Sequence, residues 1–255
     1  LPQTVSEHLA ALRVKDLLTM SVGHAKEPTS SMVEEADWIK AFLAWPIPNP
    51  PGTRFLYNSG ATYMLSAIVQ QVTGQRIYDY LRPRLFQPLG IRGAQWETCP
   101  RGINVGGWGL SIPTEGLAKF GQLYLQQGVW QGRRILPAQW VTEATTFKIQ
   151  QPAPGQPVRP IGQNDWLQGY CYQFWRCRHN AFRGDGAFGQ LMVVMPEQEA
   201  VLAITAETSD MQGELDLVWE HLLPAMKPTP LPRDRRSESR LRQTLGSLVL
   251  PPPQG

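Results

Sequence analysis

The run FLYNSGATYMLSAIVQQVTG, from Phe55 to Gly74, constrains the fold more than any other stretch of the chain. Ala61, Met64, Leu65, Ile68, Val69 and Val72 recur at i, i+3, i+4, i+7, i+8 and i+11. That spacing is one apolar face of a helix, and Gly74 is placed to end it. Immediately upstream lie prolines 46, 48, 50 and 51, which forbid regular structure. An irregular lead therefore delivers Tyr57, Asn58 and Ser59 to the mouth of a core helix. Two readings of that corner stand side by side. In one, Asn58 or Ser59 caps the helix and Tyr57 packs its ring. In the other, Tyr57 is a catalytic base.

Weaker signals give the rest of the order. Residues 12–24 read as a short helix ending near Gly23, and 34–45 as a second, with Trp38, Ile39, Phe42 and Leu43 on one face. A helical stretch over 77–86 leads to Pro88-Leu89-Gly90. Thr114 is a good N-cap for a helix carrying Leu117, Phe120, Tyr124 and Leu125. Pro137 suits the first turn of another, with Trp140, Val141 and Ala144. After PAPGQPVRPIG the texture turns strand-like: GYCYQFWRCR, then FGQLMVVM and AVLAITAE joined as a hairpin by PEQE. Asp210 opens a last helix with Leu215, Val218, Trp219 and Leu222. Helices first, then antiparallel strands closed by a helix, predict an α+β domain over residues 1–224. Beyond Pro224 the Pro and Arg content reads as a linker or tail, with a short amphipathic helix through Leu241, Leu245 and Leu248 as the alternative.

Composition excludes several classes. Six Lys/Arg against two Asp/Glu from Ala225 onward give the tail +4, which leaves residues 1–224 with 18 basic and 19 acidic residues, a net −1. A neutral body offers no electrostatic footprint for nucleic acid. No stretch approaches the roughly 20 apolar residues that span a bilayer. The first residues carry no signal-peptide pattern, and the chain opens on Leu1, mid-pattern, without Met; the compartment stays open. Cys171 and Cys177, six apart, would lie roughly 20 Å from each other on a straight strand, too far to bridge. Free thiols are expected at these and at Cys99.

Familiar motifs mostly fail. GDGAFG, residues 184–189, matches Gly-x-Gly-x-x-Gly, but a strand follows it where a dinucleotide site needs a helix. The histidines at 8, 24, 179 and 221 are dispersed, with no metal-ligand spacing. No cofactor is implied. Gly-x-Ser-x-Gly is missing.

Five segments in order carry a resemblance: RVKDLLTMSVGH, PPGTRFLYNSGATYMLSAIVQQVTGQ, RLFQPLGI, GGWGLSIPTEGLAKFGQLYLQQGVWQGRRILPAQWV and GDGAFGQLMVVMPEQEAVLAIT. Over residues 9 to 223 this series resembles the serine β-lactamase-like superfamily, in its class C and penicillin-binding-protein-related branch. The resemblance implies a β-lactamase/DD-peptidase-like fold, incomplete at its N-terminal side, and a serine hydrolase acting on a small-molecule amide or ester through an acyl-serine. It assigns Tyr57 the catalytic tyrosine of a Tyr-x-Asn loop, with Asn58 and Ser59 as substrate contacts, although Asn precedes Ser here. It puts Asp185 and Gly186 on the pocket-lining strand, which lends a backbone N–H to the oxyanion hole; a tight turn into an edge strand is the other reading of these glycines. The family's Ser-x-x-Lys is not in this sequence: Leu12, Gly23, Asp37, Gly116, Thr145 and Pro224 stand three residues before the six lysines. The expectation is that the motif lies upstream of Leu1 in a longer parent, and that a further module follows the tail in some relatives. A binding module that keeps the cleft without the nucleophile is the competing class.

Overall fold

The computed structural model describes residues 4–151 and 160–249; the PAPGQPVR stretch that precedes the strand-like texture lies outside them. Four short helices come first: α1 (Glu7–Ala11), α2 (Val14–Leu18), α3 (Thr29–Met32) and α4 (Trp38–Ala44). Of these, α2, α3 and α4 pack against α5 (Ser59–Thr73). Asn58 starts α5 by accepting the Ala61 N–H, and Gly74 ends it in the left-handed region at φ 69°, where a missing Cβ costs nothing. Gly60 and Ala61 are buried at the first turn. A Cβ on Gly60 would stand 3.2 Å from Phe42 and 3.3 Å from the Met32 sulfur, so small residues let α3 and α4 close on the helix mouth. Leu17, Met20, Met32, Trp38, Phe42, Tyr63 and Met64 form this core, which continues into Tyr170 and Trp175.

A middle layer follows: α6 (Ile77–Leu81), the two-stranded β1 (Gln95–Trp96) and β2 (Leu110–Ser111), α7 (Thr114–Leu125), the small hairpin β3 (Val129–Trp130) and β4 (Arg133–Arg134), and α8 (Ala138–Thr145). The main sheet is antiparallel in the order β5 (Trp175–Arg176), β6 (Phe182–Gly186), β7 (Gln190–Met195), β8 (Ala200–Ile204). The period of two sorts β7 between two layers. Leu191, Val193 and Met195 face α9 (Met211–Leu217) and its continuation through Val218 and Trp219. Met192 and Val194 face the side of Tyr124 and Val141, on α7 and α8. Each such fully buried side chain contributes about 1.5–3 kcal/mol, which is why β7 reads as an unbroken apolar run. Asp210 caps α9 through the Gly213 N–H.

Several expectations need correction. Residues 12–24 are not one helix: α2 ends at Leu18, and Met20, at φ 55°, turns the chain. The second expected helix starts four residues late, where Asp37 accepts the Lys40 N–H. Residues 170–177 do not run straight. Gln173, at φ 63°, folds Tyr170 back onto Trp175, and its amide is tied to the Leu17 and Leu18 carbonyls. The cysteine argument from a straight strand therefore fails in its geometry, although all three thiols are free and buried. The tail contains the alternative element, α10 (Arg235–Gly246), capped by Asp234 through the Arg236 and Ser237 N–H groups. Residues 227–249 are exposed.

Candidate active site

Tyr57 directly precedes Asn58, the cap of α5. Its ring is 43% exposed, in a position where the neighbouring cap is almost wholly buried. It stacks on Trp175 at 5.6 Å and 21° and meets Tyr170 edge-on at 6.5 Å. Trp175 sits on β5 in register with Arg183 of β6. The loop that opens α5 thus lies against the edge of the main sheet, over a chain separation of more than a hundred residues.

Arg183 and Asp185 are two apart on β6 and share a face. Arg183 is fully buried. Its Nε donates to Asp185 Oδ2 at 2.8 Å. Its Nη1 donates to the Asp165 carbonyl at 2.9 Å and contacts Cys177 Sγ at 3.2 Å. The guanidinium lies 4.2 Å from the Trp166 ring centre and 5.4 Å from that of Trp175. Asp165 anchors the far side: it is completely buried and accepts from Arg178, Gln212 and Trp219. Burial pushes the Asp185 carboxyl above the usual range, against the pull of Arg183. Glu214, beside the Gly189 turn, is raised by burial and then by the charge of Asp185. For Tyr57, loss of water and the Asp185 charge raise the phenol, and Arg183 opposes them. Packing on Trp175 and Tyr170 outweighs the exposure of the ring.

The other expected site residues divide. Asn58, expected at the substrate, is buried at 1% exposure. Its Oδ1 caps Ala61 and its Nδ2 meets His24 Nδ1 at 3.0 Å, so the structure gives its amide to the helix end and not to an open cleft. Ser59 opens α5 against Gly107, where an added Cβ would stand 2.6 Å from the Ser59 carbonyl oxygen. Gly186 closes β6 opposite Gln190, and a Cβ there would meet the Gln190 Cβ at 2.9 Å; the tight hairpin by itself requires a glycine. Sequence reasoning missed Arg183, Trp175, Tyr170 and His24. The alternation that pairs Arg183 with Asp185 was available in RGDG; the rest had no local signal. A cavity of about 500 Å³ beside α3 and α4, bordered by Glu35, Asp37 and Lys40, shares no residue with this group. Among the described residues no His/Cys/Asp/Glu cluster could hold a metal ion, and no helix is long and apolar enough to cross a membrane.

Helices on both faces of an antiparallel sheet, with a tyrosine loop at the sheet edge, give the fold of β-lactamase- and penicillin-binding-protein-like serine hydrolases. The chain belongs to the Beta-lactamase family, whose pattern matches residues 1–224. Among solved structures it is similar to a putative 6-aminohexanoate-dimer hydrolase from Bacillus anthracis, with TM-score 0.64 and 20% identity, covering 87% of this chain and 64% of that one. The octameric penicillin-binding protein homologue from Pyrococcus abyssi superposes with TM-score 0.66 at 18% identity, covering 88% of this chain and 58% of that one. A lovastatin esterase from Penicillium rubens is 28% identical over 68 residues, 27% of this chain and 17% of the esterase. The chain thus spans less than two thirds of the length of each.

Proposed function

We propose that this protein is a serine hydrolase that cleaves a small amide or ester through an acyl-serine, with Tyr57 as the base and the serine outside these 255 residues. The observation that carries the reading is the placement of Tyr57. It is half-exposed at the N-terminus of a 15-residue helix and stacked on the sheet edge beside Arg183 and Asp185. The helix end contributes roughly 0.3–1 kcal/mol in favour of phenolate. That is less than one decade of acidity, and burial with Asp185 works against it. A phenol in this setting needs a nearby cation to act as a base near neutrality, the role the lysine of a Ser-x-x-Lys fills in the family pattern. We take residues 1–224 as the hydrolase unit and 225–255 as a connector toward a further module. Asp185 and Gly186 are the proposed substrate-side contacts on β6.

The absence of Ser-x-x-Lys from the sequence favours a second reading, a binding module without turnover. Intact-mass measurement after a fluorophosphonate should find no stoichiometric serine adduct on this chain, because an activated serine needs a neighbouring base. If the upstream reading frame supplies Ser-x-x-Lys, the longer protein should form the adduct and hydrolyse a p-nitrophenyl ester. Tyr57→Phe should then lower kcat by about 10²–10⁴. An upstream frame without the motif would defeat the hydrolase assignment, and full activity in Tyr57→Phe would defeat Tyr57 as the base.

A further inference from the structure

We propose that Arg183 is the positioning residue of this site: its buried guanidinium ties the Asp185 carboxylate and the Trp175 platform into one rigid unit, and that unit fixes the place and the charge environment of the Tyr57 hydroxyl. This rests on Tyr57 being the reactive group of the proposed hydrolase. Each link is a direct contact. One edge of the guanidinium holds Asp185 at 2.8 Å. Another holds the Asp165 carbonyl at 2.9 Å, and Asp165 is itself locked by Arg178, Gln212 and Trp219. The flat face lies over Trp166 and Trp175, and Tyr57 stacks on Trp175 at 5.6 Å. A lysine could supply the charge but not the planar fork that reaches three partners together. Nη2 has no protein partner among the described residues, which leaves the stacked face and the two bonded nitrogens as the whole attachment. The arrangement runs from α9 through β6 to the loop before α5, with Arg183 at its centre, joining Asp165 and Asp185 to the Trp175 platform.

The charged groups acting on Tyr57 are few. Asp185 and Arg183 both come from β6, with opposite signs. Tyr170 packs edge-on, and Glu214 of α9 couples to Asp185. Removing Arg183 therefore has two possible outcomes of opposite sign. If it is a positioning cation, its loss leaves the Asp185 charge uncompensated and the phenol becomes harder to ionise. If it only holds the fold together, its loss admits water around Tyr57 and the phenol becomes easier to ionise.

The test places 3-fluorotyrosine at position 57 of the full chain and follows its ionisation by ¹⁹F NMR against pH. Arg183→Met should shift the midpoint upward, Arg183→Lys should shift it upward by less, and Asp185→Asn should shift it downward. A downward shift in Arg183→Met would overturn the proposal. Should that variant fail to fold, Arg183→Lys decides: an upward shift supports positioning by the fork, and an unchanged or lowered midpoint refutes it. No turnover is needed. A longer protein that hydrolyses nothing would defeat the hydrolase reading and leave this result standing, whereas a failed titration would remove Arg183's role and leave the hydrolase reading intact.

Discussion

Acid should destabilise this protein through one buried imidazole. His24 is 2% exposed, and burial brings its pKa down to about 4 from 6.5. Its hydrogen bonds explain why a proton is unwelcome. Asn58 Oδ1 is committed to the Ala61 N–H, so the Asn58 NH₂ faces His24 Nδ1, which must accept. The ring proton then sits on Nε2, which has no partner among the described residues. A second proton on Nδ1 would meet the amide donor and force Asn58 to release the α5 cap, next to Tyr57. Above pH 6.5 the imidazole is neutral in both states and nothing is lost. As pH falls, the unfolded chain binds the proton first, so the fold loses stability until about pH 4, where both states are charged. The span between 6.5 and about 4 corresponds to ~3 kcal/mol. Urea unfolding followed by tryptophan fluorescence at pH 7, 6, 5 and 4 measures it, with His24→Gln as the uncharged reference. Asp185 and Glu214, whose carboxyls are raised, add stability as pH falls, but they do so in both proteins and drop out of the difference. Wild type should lose ~3 kcal/mol relative to the variant across this window. Parallel curves, or a His24 ring resonance that titrates near 6.5 in the folded protein, would refute the reasoning.

Asp165→Ala should cost about 3–5 kcal/mol, read as a lowered urea midpoint, because Arg178, Gln212 and Trp219 all lose a fully buried acceptor; a loss under about 1 kcal/mol would show that the network relaxes around water. Cys99, Cys171 and Cys177 are buried, and burial pushes the Cys171 thiol up to about 12, so a disulfide-exchange reagent should count none in the native protein and three after denaturation. Truncation after Lys227 should leave the unfolding free energy from urea titration within about 0.5 kcal/mol of wild type, since residues 228–249 are exposed throughout; a larger loss would place the tail in the folded unit.

The sequence by itself determined the elements whose burial is periodic. The helix at 59–73 was legible because it buries one face with a 3.6-residue period that survives in the order of residues, and the hairpin through β7 and β8 because two apolar runs flank the short turn at 196–199. The capping half of the Tyr57 question was local as well: an Asn directly before the helix accepts its first free N–H groups. Ordered segments carried the family likeness. Short elements were less legible. The fold-back at Gln173 is set by contacts to the distant Leu17 and Leu18 carbonyls, and the helices near the N-terminus hold too few residues for a periodic signal to announce them. Only the tertiary structure decided what Tyr57 faces. Trp175, Arg183 and Asp185 lie more than a hundred residues away, and their approach depends on how the α5 layer packs on the edge of the sheet. The same is true of the phenol's ionisation, which burial and two opposed charges set together: a local pattern records which side of an element is buried, but not which buried group it will meet.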